Sequence, residues 1–318
     1  MKAAAPAISP SMLRGIEGFP VPVSGQRHEI GSPVGRLTYY AAAPEAESGA
    51  PPLLLIHSIN AAGSAYEVKP LYEHYRASRN VYALELPGFG HSERSPRPYT
   101  VRMMTDALLQ VVKIIQEDHG RGPIDALAVS LSTEFMARAV SEMPLSFRTL
   151  ALVSPTGFRI ADAKATWRNG TREMPRMLKF FQSRWISERF FRFLTQRAVI
   201  GFFLRKTWGS PHYDRGLLDY DYLTSHQPGA QHAVYYFVSG YLFSQDILKI
   251  FQSLTLPVWM THGVRGDFVD YSNKTTVEGR ANWVIEVMQT GAMPHFEEKE
   301  AFIRSYDAFL NRAAAVAA

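Results

Sequence analysis

One stretch, residues 124–140 (IDALAVSLSTEFMARAV), limits the folds open to this chain more than any other. Its first six residues are almost wholly apolar and end at Val129, as in a strand buried on both faces. From Ser132 onward the apolar spacing is that of a helix. Only Ser130 and Leu131 separate the two patterns, so the chain must pass from strand to helix within a very sharp turn. Such a turn needs small side chains two residues before and two after the serine, and these are Ala128 and Ser132. A serine held there stands proud of the sheet edge, with a helix N-terminus behind it that favours negative charge. Two readings are open: a helix N-cap, the usual work of serine at such a place, or a nucleophile.

The rest of the 318 residues fits a sheet of this kind. Hydrophobic residues make up 46% and charged residues 20%, a globular balance that can bury a sizeable core. Short apolar, β-branched runs at 37–42, 53–57, 81–86, 124–129, 149–153, 258–261 and 283–288 alternate with helical stretches, which predicts a mainly parallel sheet flanked by helices. The alternation stops between residues 161 and 254, where aromatics and arginines fall at helical spacing, and resumes at LTLPVWMTHG. The chain therefore reads as a core of residues 1–160 and 255–318, carrying a helical cap insertion at 161–254. That insertion is expected over the carboxyl ends of the strands, where ligands bind in open α/β sheets.

A formal charge of +5 suggests weak attraction to anionic surfaces and is too small for a nucleic-acid binder of this length. The absence of cysteine excludes disulfides, thiolate metal sites and a cysteine nucleophile. The first twenty residues contain Pro6 and Pro10 and no sustained apolar run, so they do not read as a signal peptide, and no stretch is long and apolar enough for a membrane span. The default compartment is the cytoplasm.

Further motifs join the Ser130 turn. LLLIHSINAAGSAYEV is a strand followed by a His-containing loop, with Ser58 where glycine is common. ALELPGFGHSERS is a glycine-rich turn after the next strand, with Glu85 where aspartate is common. PVWMTHGVRGDFVDY and TGAMPHFEE follow the insertion. In this order the motifs resemble the α/β-hydrolase superfamily over about residues 35–160 and 255–310, with A-x-S-x-S in place of G-x-S-x-G.

The resemblance implies an α/β-hydrolase fold with Ser130 as nucleophile and the backbone N–H groups of Ile59 and Leu131 as the oxyanion hole. It implies Asp267 as triad acid, with Asp270 as the fallback. Either aspartate has the alternative reading of a turn or cap residue. His57 and His91 are expected to be structural. At the position of the usual catalytic histidine stands Ala292; the histidine present is His295, three residues on. Three readings follow: His295 re-threads to reach Ser130; His57, His226 or His232 substitutes; or no base exists.

The implied activity is a serine hydrolase for an ester or related acyl bond in a mainly apolar small molecule, needing no metal or organic cofactor. Its rivals are an inert ligand-binding protein, favoured by Ala292, and a lyase or C–C hydrolase using the same pocket. The cap segment EMPRMLKFFQSRWISERFFRFLTQRAVIGFFLRKTW interleaves aromatics with cations. Its plain reading is helices packed on the sheet with solvated arginines. The sharper one is an apolar pocket lining, or a face touching an anionic membrane. No nucleic-acid-binding motif accompanies it, so no nucleic acid partner is expected.

Overall fold

The computed structural model describes residues 18–159, 166–183, 187–268 and 270–317. Eight strands form one sheet: β1 (Gln26–Ile30), β2 (Leu37–Ala42), β3 (Leu53–Ile56), β4 (Val81–Glu85), β5 (Ile124–Val129), β6 (Phe147–Val153), β7 (Val258–His262) and β8 (Trp283–Val287). They lie in the order β1-β2-β4-β3-β5-β6-β7-β8. From β4 to β8 all neighbours are parallel, whereas β2 runs antiparallel to both β1 and β4.

Side chains alternate across each buried strand, so each strand feeds two apolar layers. In β3, Leu54 and Ile56 face the layer built on helices α2 (Val101–His119) and α3 (Ser132–Glu142), through Met104, Leu108, Val111, Ile115 and Phe135. Leu53 and Leu55 face the opposite layer, built on α1 (Lys69–Tyr75) and the C-terminal helix, with Leu71, Phe302 and Tyr306. Helix α2 starts where the Thr100 hydroxyl accepts from the Met103 N–H, and it ends at Gly120, whose φ of +82° is the left-handed stop glycine favours.

Between β6 and β7 the described chain forms six helices: α4 (Pro175–Phe181), α5 (Ser187–Leu194), α6 (Arg197–Trp208), α7 (Arg215–Ser225), α8 (Gln231–Val238) and α9 (Ile247–Ser253). The chain closes with α10 (Pro294–Glu297) and α11 (Lys299–Ala317). The boundary expected near residues 160–161 lies outside the described residues. The inserted helices rest on loops that follow strand carboxyl ends. The Arg94 guanidinium donates to the Thr224 carbonyl at 2.7 Å, the Ala292 N–H to the Thr207 carbonyl at 2.9 Å, and the Tyr99 and Tyr236 rings meet at a tilt with centroids 5.8 Å apart. A Cβ on Gly88 would lie 2.3 Å from the Ala233 methyl, so the approach there admits only glycine.

At the opposite, amino-terminal edge, Asp125 is fully buried. It accepts from Arg79, from Arg148 (2.6 and 2.8 Å) and from the Thr149 hydroxyl (2.6 Å). Removing one partner of a buried network leaves the others uncompensated. Asp125→Ala is therefore expected to cost about 3–5 kcal/mol of unfolding free energy, because Arg79 is left buried without its counter-ion. A urea titration followed by circular dichroism measures this; a loss below about 1 kcal/mol would mean that the network is not stabilising.

Candidate active site

Ser130 carries φ +55°, left-handed backbone on a residue with a Cβ. Three bonds hold it there. Its N–H donates to the Val153 carbonyl at the end of β6 (2.8 Å), and its carbonyl accepts from the Thr133 N–H (3.1 Å) and hydroxyl (2.6 Å) as α3 begins. Ala128 and Ser132 are wholly buried on either side. Ser132 also explains its departure from glycine: its hydroxyl donates to the His57 carbonyl at 2.6 Å, pinning the turn to the loop after β3.

That loop is rigidly built. Glu67 accepts from the Ser58 N–H and the Asn60 side-chain amide, both at 2.6 Å, and Asn60 accepts from the Ala62 N–H. Ile59 and Leu131 are buried, and no hydrogen bond to either N–H is found among the described residues. Buried N–H groups are almost always paired. Two without an acceptor, on segments joined by the Ser132–His57 bond, leave donors available to a ligand oxygen.

The proton-transfer half is arranged otherwise. His295 lies in α10 and donates through Nε2 to the Glu67 carbonyl at 2.7 Å. Its Nδ1 is buried without a partner among the described residues, and burial pulls the imidazole down to about 4. Asp267 is half exposed and ion-paired to Lys206 at 2.5 Å. Asp270 accepts from the Ser272 hydroxyl at 2.5 Å and faces Arg159. The structure brings neither aspartate to His295 and does not join His295 to Ser130. The chain-order triad Ser130–Asp267–His295 is not assembled in this geometry.

The physical reason is the end of α6, which seats on the loop that normally presents the base. Ala292 is buried, with its N–H on the Thr207 carbonyl and its own carbonyl accepting from Ser154 at 2.8 Å. A Cβ on Gly291 would come within 2.5 Å of the Thr207 carbonyl and of Trp208. His57, His226 and His91 are also engaged, whereas the His232 side chain has no hydrogen bond among the described residues. His57 accepts the Leu86 N–H at Nε2 (3.1 Å), so Nδ1 carries the proton toward the Ser58 carbonyl (2.6 Å); both nitrogens are spent. His226 bonds the Tyr222 carbonyl, and His232 lines a surface cleft with Arg97 and Tyr236. His91 bridges the Tyr40 hydroxyl (2.8 Å) and the Phe19 carbonyl (3.1 Å). Glu85, which accepts the His91 N–H, is held below its ordinary range: burial opposes its charge, and the bonds to His91 outweigh that.

Three further residues, Ser154, Glu134 and Asp221, carry no local sequence signal of comparable strength. Ser154 ends β6 as Ser130 ends β5, with φ +48°, and its N–H donates to the Thr261 carbonyl at 2.7 Å. Both serines follow a valine that closes a strand, the one cue available in advance. Glu134, in the first turn of α3, is buried; it accepts from the Thr156 hydroxyl and the Ser244 N–H (2.9 Å). Burial pushes it up to about 7 against the opposing pull of those bonds and of Arg172. Asp221 in α7 is buried with Oδ1 unpartnered among the described residues, and burial with the nearby Glu67 and Asp214 charges raises it well above the usual carboxylate range.

Two measurements check this description. Ser130→Gly should be more stable than Ser130→Ala by about 1 kcal/mol, the reverse of the usual order, because only glycine adopts positive φ without strain. Equal thermal stability of the two variants would mean that the backbone is not strained there. Glu134 is raised in the folded state, so its contribution to stability is full below the ordinary glutamate range and lost as pH rises through about 7. Relative to Glu134→Gln, the wild type should lose up to about 3 kcal/mol between acidic and alkaline buffer, against no differential trend if Glu134 titrates normally.

A family model described as "alpha/beta hydrolase fold" matches residues 51–201. No curated protein sequence matches the chain at a significant level. Among solved structures, a probable hydrolytic enzyme from Pseudomonas aeruginosa PAO1 is 15% identical, with a TM-score of 0.71 and coverage of 92% of this chain and 96% of that one. A thermophilic esterase from Thermogutta terrifontis is 15% identical at TM-score 0.65, covering 91% and 99%. An epoxide hydrolase from Acinetobacter nosocomialis is 17% identical at TM-score 0.67, covering 90% and 88%. With the sheet order, the strained turn at Ser130 and the pinned loop after β3, these likenesses show that the chain has the α/β-hydrolase fold.

Proposed function

We propose that this chain is a slow hydrolase of an ester or related acyl bond in a mainly apolar small molecule. The observation that carries the reading is the pairing of a strained, sheet-edge serine with the backbone N–H groups of two buried residues, neither of which has an acceptor among the described residues. In this reading the Ser130 oxygen attacks the carbonyl carbon while the N–H groups of Ile59 and Leu131 hold the oxygen that becomes negative. The alcohol departs with the serine proton; water then attacks the acyl-serine and returns the carboxylic acid and free serine. Turnover is slow because serine near neutral pH is a poor nucleophile without a base in reach. His295, committed to the Glu67 carbonyl, and Asp267, committed to Lys206, do not serve it in this arrangement. The esterase among the similar folds supports the acyl chemistry by analogy only.

A second reading is favoured by one specific observation, the double anchoring of Ala292 by Thr207 and Ser154. It keeps the site as a pocket for a carbonyl-bearing ligand and omits the reaction.

A fluorophosphonate probe separates the two. Slow, covalent labelling of the peptide containing Ser130, absent in Ser130→Ala, is the outcome expected of the hydrolase. No label at any pH where the protein stays folded supports the binding reading. Ala292→His should raise hydrolysis of an activated ester by about tenfold or more, since a positioned base contributes roughly 10²–10⁴-fold and no acid is present to orient this one. His295→Asn should leave the residual rate within about twofold, whereas a general base would show a loss of about a hundredfold or more.

A further inference from the structure

The chain's positive charge is not spread over its surface. Ten of its 34 lysines and arginines, and only two of its 29 aspartates and glutamates, fall within residues 168–206. That stretch is net +8, and the remainder of the chain is net −3. The same stretch holds four of the five exposed phenylalanines: Phe180 (54% exposed), Phe193 (58%), Phe202 (47%) and Phe203 (45%). Exposed aromatics on a soluble face are ordinary singly and informative when gathered.

The gathering follows the helices. Helix α5 packs on both α4 and α6, and Phe181 of α4 stacks on Phe190 of α5 at 5.0 Å. Their outer faces carry Arg176, Lys179 and Phe180, then Arg189, Arg192 and Phe193, then Phe202, Phe203 and Arg205. Arg176, Lys179, Arg189 and Arg205 make no ion pair among the described residues, and the Lys206 ammonium lies over the Phe202 ring at 5.3 Å. Exposed Val264 and Phe268 extend the face, because their loop is tied to α6 by the Lys206–Asp267 pair. No described helix is long and apolar enough to cross a bilayer.

We propose that the outer face of α4–α6 docks on the surface of an anionic lipid bilayer. Unpaired cations meet the lipid phosphates, and the interleaved phenylalanines enter the boundary between headgroups and acyl chains. Charge complementarity selects this occupant over a second copy of the chain, whose matching face would bear the same strong positive charge. The proposal does not rest on Ser130 chemistry.

The test is sedimentation of the full chain with phosphatidylcholine vesicles, with and without phosphatidylglycerol. Binding should require phosphatidylglycerol and weaken with added salt. Lys179→Glu with Arg189→Glu should lower the partition coefficient by at least about tenfold. Phe202→Ser with Phe203→Ser should remove the part of the binding that survives salt. All four side chains are exposed, so circular dichroism and thermal unfolding should match the wild type. Equal binding to neutral vesicles, no binding, or unchanged binding by both double variants overturns the proposal. So does a concentration-dependent dimer in sedimentation velocity that both variants abolish, which assigns the face to a second copy. Vesicle binding is read without turnover, so its failure is distinguishable from failure of the labelling experiment.

Discussion

The left-handed backbone at Ser130 organises everything around it. A parallel strand delivers the chain to the carboxyl edge of the sheet, and the turn must reverse it into α3 without leaving the edge. At φ +55° this costs on the order of 1–2 kcal/mol on a residue with a Cβ, so neighbours must over-determine it. They do so from three directions: the Val153 carbonyl from β6, the Thr133 hydroxyl from the next turn of helix, and the packing of Ala128 and Ser132 against the layers. The Ser132–His57 bond transmits the position of the turn to the loop after β3. Glu67 then fixes that loop through Ser58 and Asn60, and Glu85 supports it from β4 by accepting the Ala65 N–H. One strained residue thereby sets the geometry of two loops.

Sequence and structure agree where the information is local. Seven of the eight strands are legible because their residues are apolar on both faces. The eighth, β1, is not, since QRHEI at an antiparallel edge has no apolar rhythm to read. The turn at Ser130 is legible because strand, serine and helix follow one another without an intervening residue to spare. The acid and base are not, because chain order does not state where a side chain points. Asp267 lies in the expected segment, yet one additional residue after Gly263 leaves it on the surface against Lys206. His295 lies in the expected loop, yet Pro294 opens α10 and directs the imidazole to the Glu67 carbonyl. Ser154 and Glu134 gain their surroundings from segments distant in sequence: β7 and the Ala292 loop for Ser154, and Thr156 and the Ser244 loop for Glu134.

The contact of α6 with the Gly291–Ala292 loop connects the inserted helices to the site. Gly291 must be glycine because the Thr207 carbonyl and Trp208 occupy the space of a Cβ. The same helix presents Phe202, Phe203 and Arg205 on its other side. A displacement of α6 would therefore alter both the exposed face and the loop where a base belongs.

A strained serine, and two buried residues whose N–H groups have no acceptor among the described residues, each destabilise the folded chain. An unsatisfied buried donor costs roughly 1–3 kcal/mol and the backbone strain a similar amount. Neither is required by the sheet, since a glycine at 130 would make the same turn more easily. Arrangements of this kind persist where a ligand completes them. In the proposed reading, the ligand that completes this one offers an oxygen that accepts two backbone N–H bonds beside a serine hydroxyl, which describes a carbonyl or its tetrahedral adduct. The hydrolytic and the purely binding readings thus share one ligand chemistry. They part only at the proton, for which Ala292 provides no carrier.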